Sequence, residues 1–277
     1  MPHITEYLKP TSVAEALRLL RAQPGRAPLA GGTFLTAHLP KKITGLVDLS
    51  GLGLDYIKRR DGAVALGAMT TLAAMAQAAA LGPLAALCRD CATQPLRNAI
   101  TIGGNVMLPL RWSDLPLLLT VLRADFVIHA PRQKTLSADD FFRSVPAKTV
   151  GPAGLLTEIV VPDMRRVRLA RKKIVRAHDD IPALHVAVAL RLDRRRACDV
   201  RIAFVAQKPL PTRVPAAETL LEGVVPTAAL IAAAADAARA AGAALSDFRF
   251  SGAYLNEMLG VYVRRLLTDC VSTKECS

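Results

Sequence analysis

The stretch "QPLRNAITIGGN", residues 94–105, ends in two adjacent glycines and an asparagine, directly before an apolar segment. A second glycine pair lies in "AGGT", residues 30–33. Glycine lets the backbone adopt positive φ and lets another group approach the main chain closely. Each pair follows a short apolar run and offers consecutive backbone N–H groups, which can bind a phosphate without a lysine. Ordinary turns use the same residues, and neither loop matches GxGxxG or a P-loop, so both interpretations stay open.

Composition limits the classes of protein that this chain can belong to. It has 277 residues, 52% of them apolar, which is enough for one large or two medium domains. The net charge of +13 is typical of proteins that bind either nucleic acid or an acidic protein. The densest basic cluster, "RLDRRRACDVRI" at 191–202, predicts two strands joined by a solvated polar turn. Because no zinc-finger spacing or RNA-binding aromatic pattern accompanies it, we expect no nucleic-acid partner.

The cysteines do not form an obvious site. Their odd number and scattered spacing argue against a disulfide framework. Cys88 and Cys91 form a C-x-x-C pair, but a metal or cluster site needs four ligands and no second pair exists, so buried thiols are favoured. The five positions are Cys88, Cys91, Cys198, Cys270 and Cys276.

Catalytic and targeting signals are weak. His178, Asp179 and Asp180 could form an acid–base group, although turn residues are the simpler interpretation. No G-x-S-x-G nucleophile motif occurs, and the histidines at 3, 38, 129 and 185 show no metal-ligand spacing. We therefore expect no catalytic residue and no metal ligand. The N-terminus has no apolar core behind a basic start, and no apolar stretch has the length of a membrane span. We therefore expect a cytoplasmic protein without a membrane span.

Hydrophobic periodicity predicts a mixture of helices and strands. Residues 11–25 predict a helix that Thr11 or Ser12 can cap. Strands are expected at 63–71 and 125–130, and the leucine-rich run between them is expected to be helical. From about residue 165 the pattern changes to two long strands that should pair antiparallel, followed by helices at 227–242 and 251–270.

Many ordered segments resemble one family almost from end to end. The chain resembles the medium, FAD-binding subunit of molybdenum hydroxylases, a family that includes the carbon monoxide dehydrogenase medium subunit and the flavin domain of xanthine dehydrogenase. The matching segments are "TSVAEALRLL", "PLAGGTFL", "LVDLSGL", "VALGAMTTLAAM", "QPLRNAITIGGNV", "SDLP", "LLTEIVVP", "KIVRAHDDIPALHVAVAL", "DVRIAFVAQKPLPTRVPAAETLLEG" and "SGAYLNEMLGVYVRRLL".

The resemblance implies a fold and a domain division. The expected class is α+β, with a two-subdomain FAD-binding fold of the PCMH type over residues 1–165. Its subdomains would span about 1–55 and 56–165. Residues 166–277 would form a C-terminal domain with a three-stranded antiparallel sheet and helices.

The resemblance also implies a cofactor site, in which both glycine loops wrap the diphosphate and ribityl chain of FAD. Asp114 matches an acidic residue that hydrogen-bonds the ligand, although a helix cap would also explain it. Lys173 matches a basic position on the strand that opens the C-terminal domain, where a surface lysine is the alternative. The implied cofactor-binding residues are Ala30, Gly31, Gly32, Thr33, Phe34, Leu35, Thr101, Ile102, Gly103, Gly104, Asn105, Asp114 and Lys173.

The implied function is electron transfer within an oxidoreductase. A large molybdopterin subunit would carry the substrate chemistry, and a small subunit with 2Fe–2S clusters would pass electrons to FAD in this chain, in an expected dimer of heterotrimers. The chain departs from the family at Phe34, where Asp is usual, at Arg171, where an aromatic is common, and at Leu255. Bulky residues also replace a small polar stretch at 107–112. The alternative is therefore a flavin-free subunit that serves assembly.

Overall fold

A computed structural model describes residues 3–130, 132–151, 154–177, 180–242 and 246–272. The chain divides into two compact units. The first comprises Met1–Pro109 and Arg123–Pro162, and the second comprises Leu110–Leu122 and Asp163–Ser277. In the described part of the chain, no helix is long and apolar enough to cross a membrane.

The first unit begins with a small parallel sheet of order β1-β3-β2. Helix α1 carries its apolar side chains Ala16, Leu17 and Leu20 into a core with Val47 of this sheet. Ser12 caps the helix by accepting a hydrogen bond from the Glu15 N–H, as the sequence predicts. The elements are β1 (Glu6–Leu8), α1 (Val13–Ala22), β2 (Arg26–Leu29) and β3 (Gly45–Asp48).

A five-stranded antiparallel sheet of order β4-β5-β8-β6-β7 forms the rest of the unit, together with short helices. Its central strand β8 is buried over almost its whole length. The stacked rings of Phe126 and Phe141 fill the space beside it. The elements are β4 (Ile57–Arg60), β5 (Ala63–Gly67), α2 (Leu72–Gln77), α3 (Gly82–Arg89), α4 (Gln94–Ala99), α5 (Ile102–Met107), β6 (Asp125–Ala130), β7 (Arg132–Ser137), α7 (Ala138–Phe141), α8 (Pro146–Val150) and β8 (Leu155–Pro162).

The second unit is built on an antiparallel sheet of order β12-β11-β10-β9. Even-numbered residues of β10, such as Val186 and Val188, face a core formed with α10 and α11. Helix α6 packs against the same sheet, at β10 and β11. The elements are α6 (Leu115–Val121), β9 (Arg168–Ile174), β10 (Leu184–Asp193), β11 (Arg196–Val205), β12 (Thr212–Arg213), α9 (Pro215–Thr219), α10 (Ala228–Ala241) and α11 (Gly252–Ser272).

The structure confirms the α+β class and corrects three details. The C-terminal sheet has four strands rather than three, because the two residues of β12 are too few to give a sequence pattern. The strand expected at 63–71 ends earlier, at Gly67, while Thr71 caps the following helix α2 as the sequence predicts. The "TIGGN" segment, interpreted as a loop, begins helix α5.

Glu218 joins three elements of the second unit through a buried carboxylate. Its Oε1 accepts hydrogen bonds from the Ile202 N–H at 3.0 Å and from Arg213 Nε at 3.1 Å. A second Arg213 nitrogen binds Oε2, and Arg201 lies 3.7 Å from the same oxygen. Helix α9 is thereby fixed to β11 and β12.

We predict that Glu218→Gln lowers the free energy of unfolding by about 3 kcal/mol, because two arginines lose their buried counter-charge. Chemical denaturation of the full chain measures the effect. Glu257→Gln is the matched control, since Glu257 pairs with Arg239 at a surface where both side chains are about half exposed. That change should cost less than about 1 kcal/mol. Equal losses for the two variants would contradict the role given to Glu218.

Candidate functional site

The first glycine loop, residues 30–35, follows β2 and presents unused backbone donors. Gly32 has φ +70°, a conformation that glycine adopts without strain. Thr36 closes the loop by donating its N–H and its hydroxyl to the Gly32 carbonyl, at 3.0 and 2.7 Å. Within the part of the chain that the structure describes, the N–H groups of residues 31–35 donate no hydrogen bond to the protein. They form a run of consecutive donors available to an anion.

The second glycine pair lies in the first turn of α5, and its donors are already used. The Ile102 N–H donates to the Thr70 carbonyl and the Gly103 N–H donates to the Ala68 carbonyl, both at 2.8 Å. The Gly104 N–H donates to the capping hydroxyl of Thr101 at 3.1 Å. The expectation of a second run of available N–H groups is therefore wrong, because the neighbouring segment accepts them.

The two glycine loops contact each other within the first unit. A Cβ on Gly31 would lie 1.7 Å from the Ala99 carbonyl oxygen, and a Cβ on Gly103 would lie 2.6 Å from the Ala68 carbonyl oxygen. No side chain fits at either position without movement of the backbone. Gly104 is less restricted, since its nearest neighbours would be the Thr101 hydroxyl at 3.0 Å and Ala30 at 3.7 Å. Gly31 and Gly103 are thus explained by packing, independently of any ligand.

Two side chains of these segments, Asn105 and Phe34, bear on ligand binding. The side-chain oxygen of Asn105 is buried and accepts no hydrogen bond within the described residues. A buried acceptor without a donor costs free energy, and a bound ligand with a donor group would recover it. Phe34, which stands at the family's aspartate position, stacks on His38 with ring centroids 4.4 Å apart.

A separate polar cluster lies inside the second unit. The carboxylate of Asp114, immediately before α6, accepts hydrogen bonds from Arg171 at 3.0 Å and from Lys173 at 2.8 Å. His185 Nδ1 lies 3.6 Å from the same carboxylate. Lys173 and Arg171 are two residues apart on β9, and Lys173 pairs directly with His185 across β10, so strand geometry places all three on one face.

The charges in this cluster determine its protonation. Burial acts to raise the pKa of Asp114, but Arg171 and Lys173 outweigh burial and hold that pKa below its ordinary value. Burial lowers the pKa of His185 to about 4, with Lys173 and Arg171 acting in the same direction and Asp114 opposing them. Near neutral pH the cluster therefore holds one carboxylate, two cations and a neutral imidazole. It has a surplus of one positive charge.

Asp114 does not act as a helix cap, which was the alternative interpretation of this residue. It occupies the N-cap position of α6, yet its side chain accepts no hydrogen bond from that helix. Both ring nitrogens of His185 and the Nε of Arg111 are buried without a hydrogen-bond partner in the described structure. This second unit therefore contains polar atoms that its own fold does not satisfy.

Sequence reasoning assigned most of these residues but missed two of them. The structure brings the first loop and the start of α5 together in the first unit, and Asp114 and Lys173 together in the second. Arg171 was noted only as a departure from the family, and His185 was given no role. The alternation of Arg171 and Lys173 along β9 was the available signal for Arg171. His185 had no such signal, since its pairing opposite Lys173 depends on strand register.

The other candidate groups have structural explanations. Cys88 and Cys91 are buried, and Cys91 donates to the Leu87 carbonyl one helical turn earlier. No cluster of three metal-binding side chains occurs among the described residues. Asp180 accepts hydrogen bonds from Arg176 and from the Ile181 N–H, as expected for a turn residue. His178, Asp179 and Cys276 lie outside the described residues.

Comparison with known families divides the chain into two matches. Residues 3–164 match the family described as FAD binding domain in molybdopterin dehydrogenase. Residues 170–270 match the family described as CO dehydrogenase flavoprotein C-terminal domain.

Individual relatives agree with these matches. The carbon monoxide dehydrogenase medium chain of Hydrogenophaga pseudoflava is 30% identical, over 96% of this chain and 97% of the relative. The glyceraldehyde dehydrogenase medium chain of Sulfolobus acidocaldarius is 28% identical, over 73% of this chain and 76% of the relative. A solved structure of carbon monoxide dehydrogenase from Hydrogenophaga pseudoflava, lacking the Mo-pyranopterin moiety of its molybdenum cofactor, superposes with a TM-score of 0.88. That structural match has 30% identity and covers 97% of each chain.

We predict that Gly31→Ala lowers the free energy of unfolding by about 3 kcal/mol, because the added methyl group would overlap the backbone carbonyl of Ala99. Thermal or chemical unfolding of the full chain measures the loss. Gly53→Ala is the control, because Gly53 has φ +63° and open space around its Cα. Gly53→Ala should lower the free energy of unfolding by only about 1 kcal/mol, because alanine is disfavoured in the left-handed conformation. A smaller loss at Gly31 than at Gly53 would show that the loops do not pack as described.

We predict that His185 makes the protein less stable in mild acid. A histidine whose pKa is about 4 in the folded state is protonated more readily after unfolding, where the pKa is about 6.5. Its contribution is fully present above pH 6.5 and is lost as the pH falls toward 4, with about 2 kcal/mol lost by pH 5.

His185→Leu should remove this part of the pH dependence of the free energy of unfolding between pH 7.5 and pH 5. Val205→Ala is the control, because Val205 is the cross-strand neighbour of His185 on β11 and does not titrate. That variant should be less stable at every pH with an unchanged slope. An unchanged slope in His185→Leu would contradict the neutral, buried imidazole.

Proposed function

Because this chain belongs to the family of FAD-binding medium subunits of the molybdenum hydroxylases, we propose that it binds FAD and transfers electrons within a multi-subunit oxidoreductase. The family resemblance read from the sequence is confirmed by these matches. The observation that carries the proposal for this particular chain is the run of unused N–H groups at residues 31–35.

The first loop fits the diphosphate of the cofactor. Five consecutive backbone donors, with a glycine of positive φ among them, can surround phosphate oxygens without a cationic side chain. Small residues at 30–33 leave the main chain accessible. We assign Gly31, Gly32, Thr33, Phe34 and Leu35 to this contact through their backbone, with Ala30 beside them.

The start of α5 has a different proposed task. Its N–H groups hold the helix against residues 68–70, so its contribution to binding comes from the exposed Cα of Gly104 and from the side chain of Asn105. Thr101, Ile102 and Gly103 fix the position of that surface. The buried Asn105 oxygen is an acceptor for which the described residues offer no donor, and a hydroxyl or N–H of the cofactor would satisfy it.

Asp114 and Lys173 keep the ligand-contacting role that the family resemblance gives them, with Arg171 and His185 added to their group. Asp114 orients the two cations through direct hydrogen bonds and offsets only one of their charges. The surplus positive charge favours an electron-rich or anionic group nearby. These residues bind and orient, and none of them supplies an acid, base or nucleophile to the substrate.

FAD, when bound, accepts electrons and passes them on. We assign the substrate chemistry to a large subunit with the molybdopterin cofactor and the electron supply to a small subunit with 2Fe–2S clusters. We expect a dimer of such heterotrimers in the cytoplasm. The assignment of a molybdenum-containing partner is supported by two solved structures that resemble this chain. One is a carbon monoxide dehydrogenase that lacks the Mo-pyranopterin moiety of its molybdenum cofactor, and the other is a Cu,Mo-CO dehydrogenase.

The second candidate function is a flavin-free assembly subunit. The observation that favours it is the engagement of all the N–H groups at the start of α5, together with the large side chains of residues 107–112. Leu108 and Trp112 are 38% and 47% exposed, so these side chains are not part of the described cores.

The deciding experiment is the quantification of acid-released FAD per copy of the purified full chain, together with its visible absorption spectrum. Stoichiometric FAD supports the proposal. Complete absence of flavin, both in the purified chain and after incubation with excess FAD, would favour the assembly subunit.

We predict that Asn105→Ala weakens FAD binding about tenfold, because one hydrogen bond to the cofactor is lost. The same change should leave the thermal stability of the FAD-free chain unchanged or higher, since it removes an unsatisfied buried acceptor. FAD affinity is measured by the change in flavin fluorescence.

Asn98→Ala is the control for this test, because Asn98 is exposed on α4 and its side chain accepts a hydrogen bond from the exposed Gln94. It should leave the affinity unchanged. Equal FAD affinities of the wild-type chain and Asn105→Ala would exclude Asn105 from the site.

A further inference from the structure

The tip of the hairpin between β10 and β11 has an unusual pair of residues. Asp193 pairs with Arg196, so Arg194 and Arg195 form a two-residue turn. Both have positive φ, +45° and +71°. Two-residue hairpin turns of this type strongly favour Asn-Gly or Asp-Gly, because a residue with a Cβ is disfavoured in the left-handed region. The chain has arginine at both positions, against this local preference.

The side chains of both turn arginines lie at the surface of the unit. Arg194 and Arg195 are exposed, and neither side chain makes a hydrogen bond or ion pair within the described residues. Nearby charges are arranged differently: Arg191 pairs with Asp199, and Arg196 donates to the Gly223 carbonyl at 3.0 Å. Among the described residues, the two arginines of the turn are thus a positive pair without a counter-charge, at the end of a hydrogen-bonded hairpin.

The hairpin tip is braced by the segment that follows α9. The Ala197 N–H donates to the Val224 carbonyl at 2.8 Å, and the Gly223 N–H donates to the Ala197 carbonyl at 2.7 Å. Glu222 accepts from the Asp199 and Val200 N–H groups, both at 2.9 Å. Hydrogen bonds therefore hold the hairpin end and residues 220–225 together. Because these segments are already ordered, binding a partner there costs less conformational entropy.

The bracing segment also carries exposed apolar side chains. Leu220 and Val225, at the two ends of the bracing segment, are 39% and 41% exposed. Apolar contacts beside cationic groups are typical of protein–protein interfaces, in which a polar rim surrounds an apolar centre. A surface for single-stranded nucleic acid would need aromatic side chains on which bases stack. Residues 191–202 and 218–225 contain no aromatic residue.

We propose that this surface, defined as Arg194, Arg195, Leu220 and Val225, docks an acidic face of a partner subunit in the oxidoreductase complex. The proposal rests on the proposed function, which supplies the partner. Charge complementarity predicts that the partner's face carries carboxylates opposite the two arginines. The same face should carry an apolar patch opposite Leu220 and Val225. The net charge of +13 also attracts an acidic partner while the two proteins diffuse toward each other.

The test replaces the turn with the residues that its geometry favours. In R194N/R195G the backbone strain is relieved and two charges are lost, so the isolated chain should unfold at the same temperature or higher. Association of the immobilised full chain with the large and small subunits, released from the purified complex, is measured by biolayer interferometry at increasing NaCl. The association rate should fall about tenfold at low salt and approach that of the wild type at high salt.

Two further variants isolate the cause. R264Q/R265Q removes two exposed charges from α11 and gives the same net charge, and its association rate should stay within about twofold of the wild type. R194K/R195K keeps the charge in the turn and should keep most of the association rate. Equal rates for R194N/R195G and the wild type would overturn the proposal.

The outcomes separate this inference from the proposed function. If no subunit co-purifies with the wild-type chain, the proposed complex itself is wrong. If the complex forms but R194N/R195G binds as well as the wild type, only the docking surface is wrong. A fluorescein-labelled duplex DNA is the second probe. Loss of DNA binding in R194N/R195G, with subunit binding intact, would assign the surface to nucleic acid instead.

Discussion

Two close approaches between backbone segments organise the first unit. The carbonyl of Ala99 occupies the space that a side chain on residue 31 would need, and Ala68 does the same at residue 103. The first contact holds the loop after β2 against the end of α4, and the second holds the start of α5 against the segment after β5. Both depend on glycine. One glycine of each pair, Gly31 or Gly103, therefore serves packing. Of the other two glycines, Gly32 has positive φ and Gly104 has an accessible Cα.

This division changes the interpretation of the two loops. Similar sequences led us to expect similar chemistry, yet only residues 31–35 retain N–H groups that the described protein does not use. The start of α5 is a structural counterpart that shapes the site. Asn105 is the exception there, because its side-chain oxygen is buried without a donor. A cofactor contact at these loops would thus combine backbone donors from one segment with a side-chain acceptor from the other.

The second unit contains both buried, paired cationic side chains and exposed ones. Inside the second unit, Asp114 and Glu218 each hold two arginine or lysine side chains around one buried carboxylate. At the hairpin tip, by contrast, two arginines occupy positions that disfavour them and have no counter-charge in the described structure. The high net charge therefore has two different origins, since part of it is compensated internally and part is presented to the surroundings.

The sequence by itself determined the family, the α+β class, the helices from Ser12 and Thr227, and the long hairpin of the second unit, because these depend on local propensity, capping and ordered motifs. Tertiary structure alone decided which backbone donors stay available, since Ala68 and Thr70, more than thirty residues before the glycines, accept the N–H groups of Gly103 and Ile102. It also decided that residues 110–122 belong with the second unit and that His185 faces Asp114. Hydrogen bonds and ion pairs between distant residues leave no periodic trace in the sequence, and therefore only the folded chain reveals them.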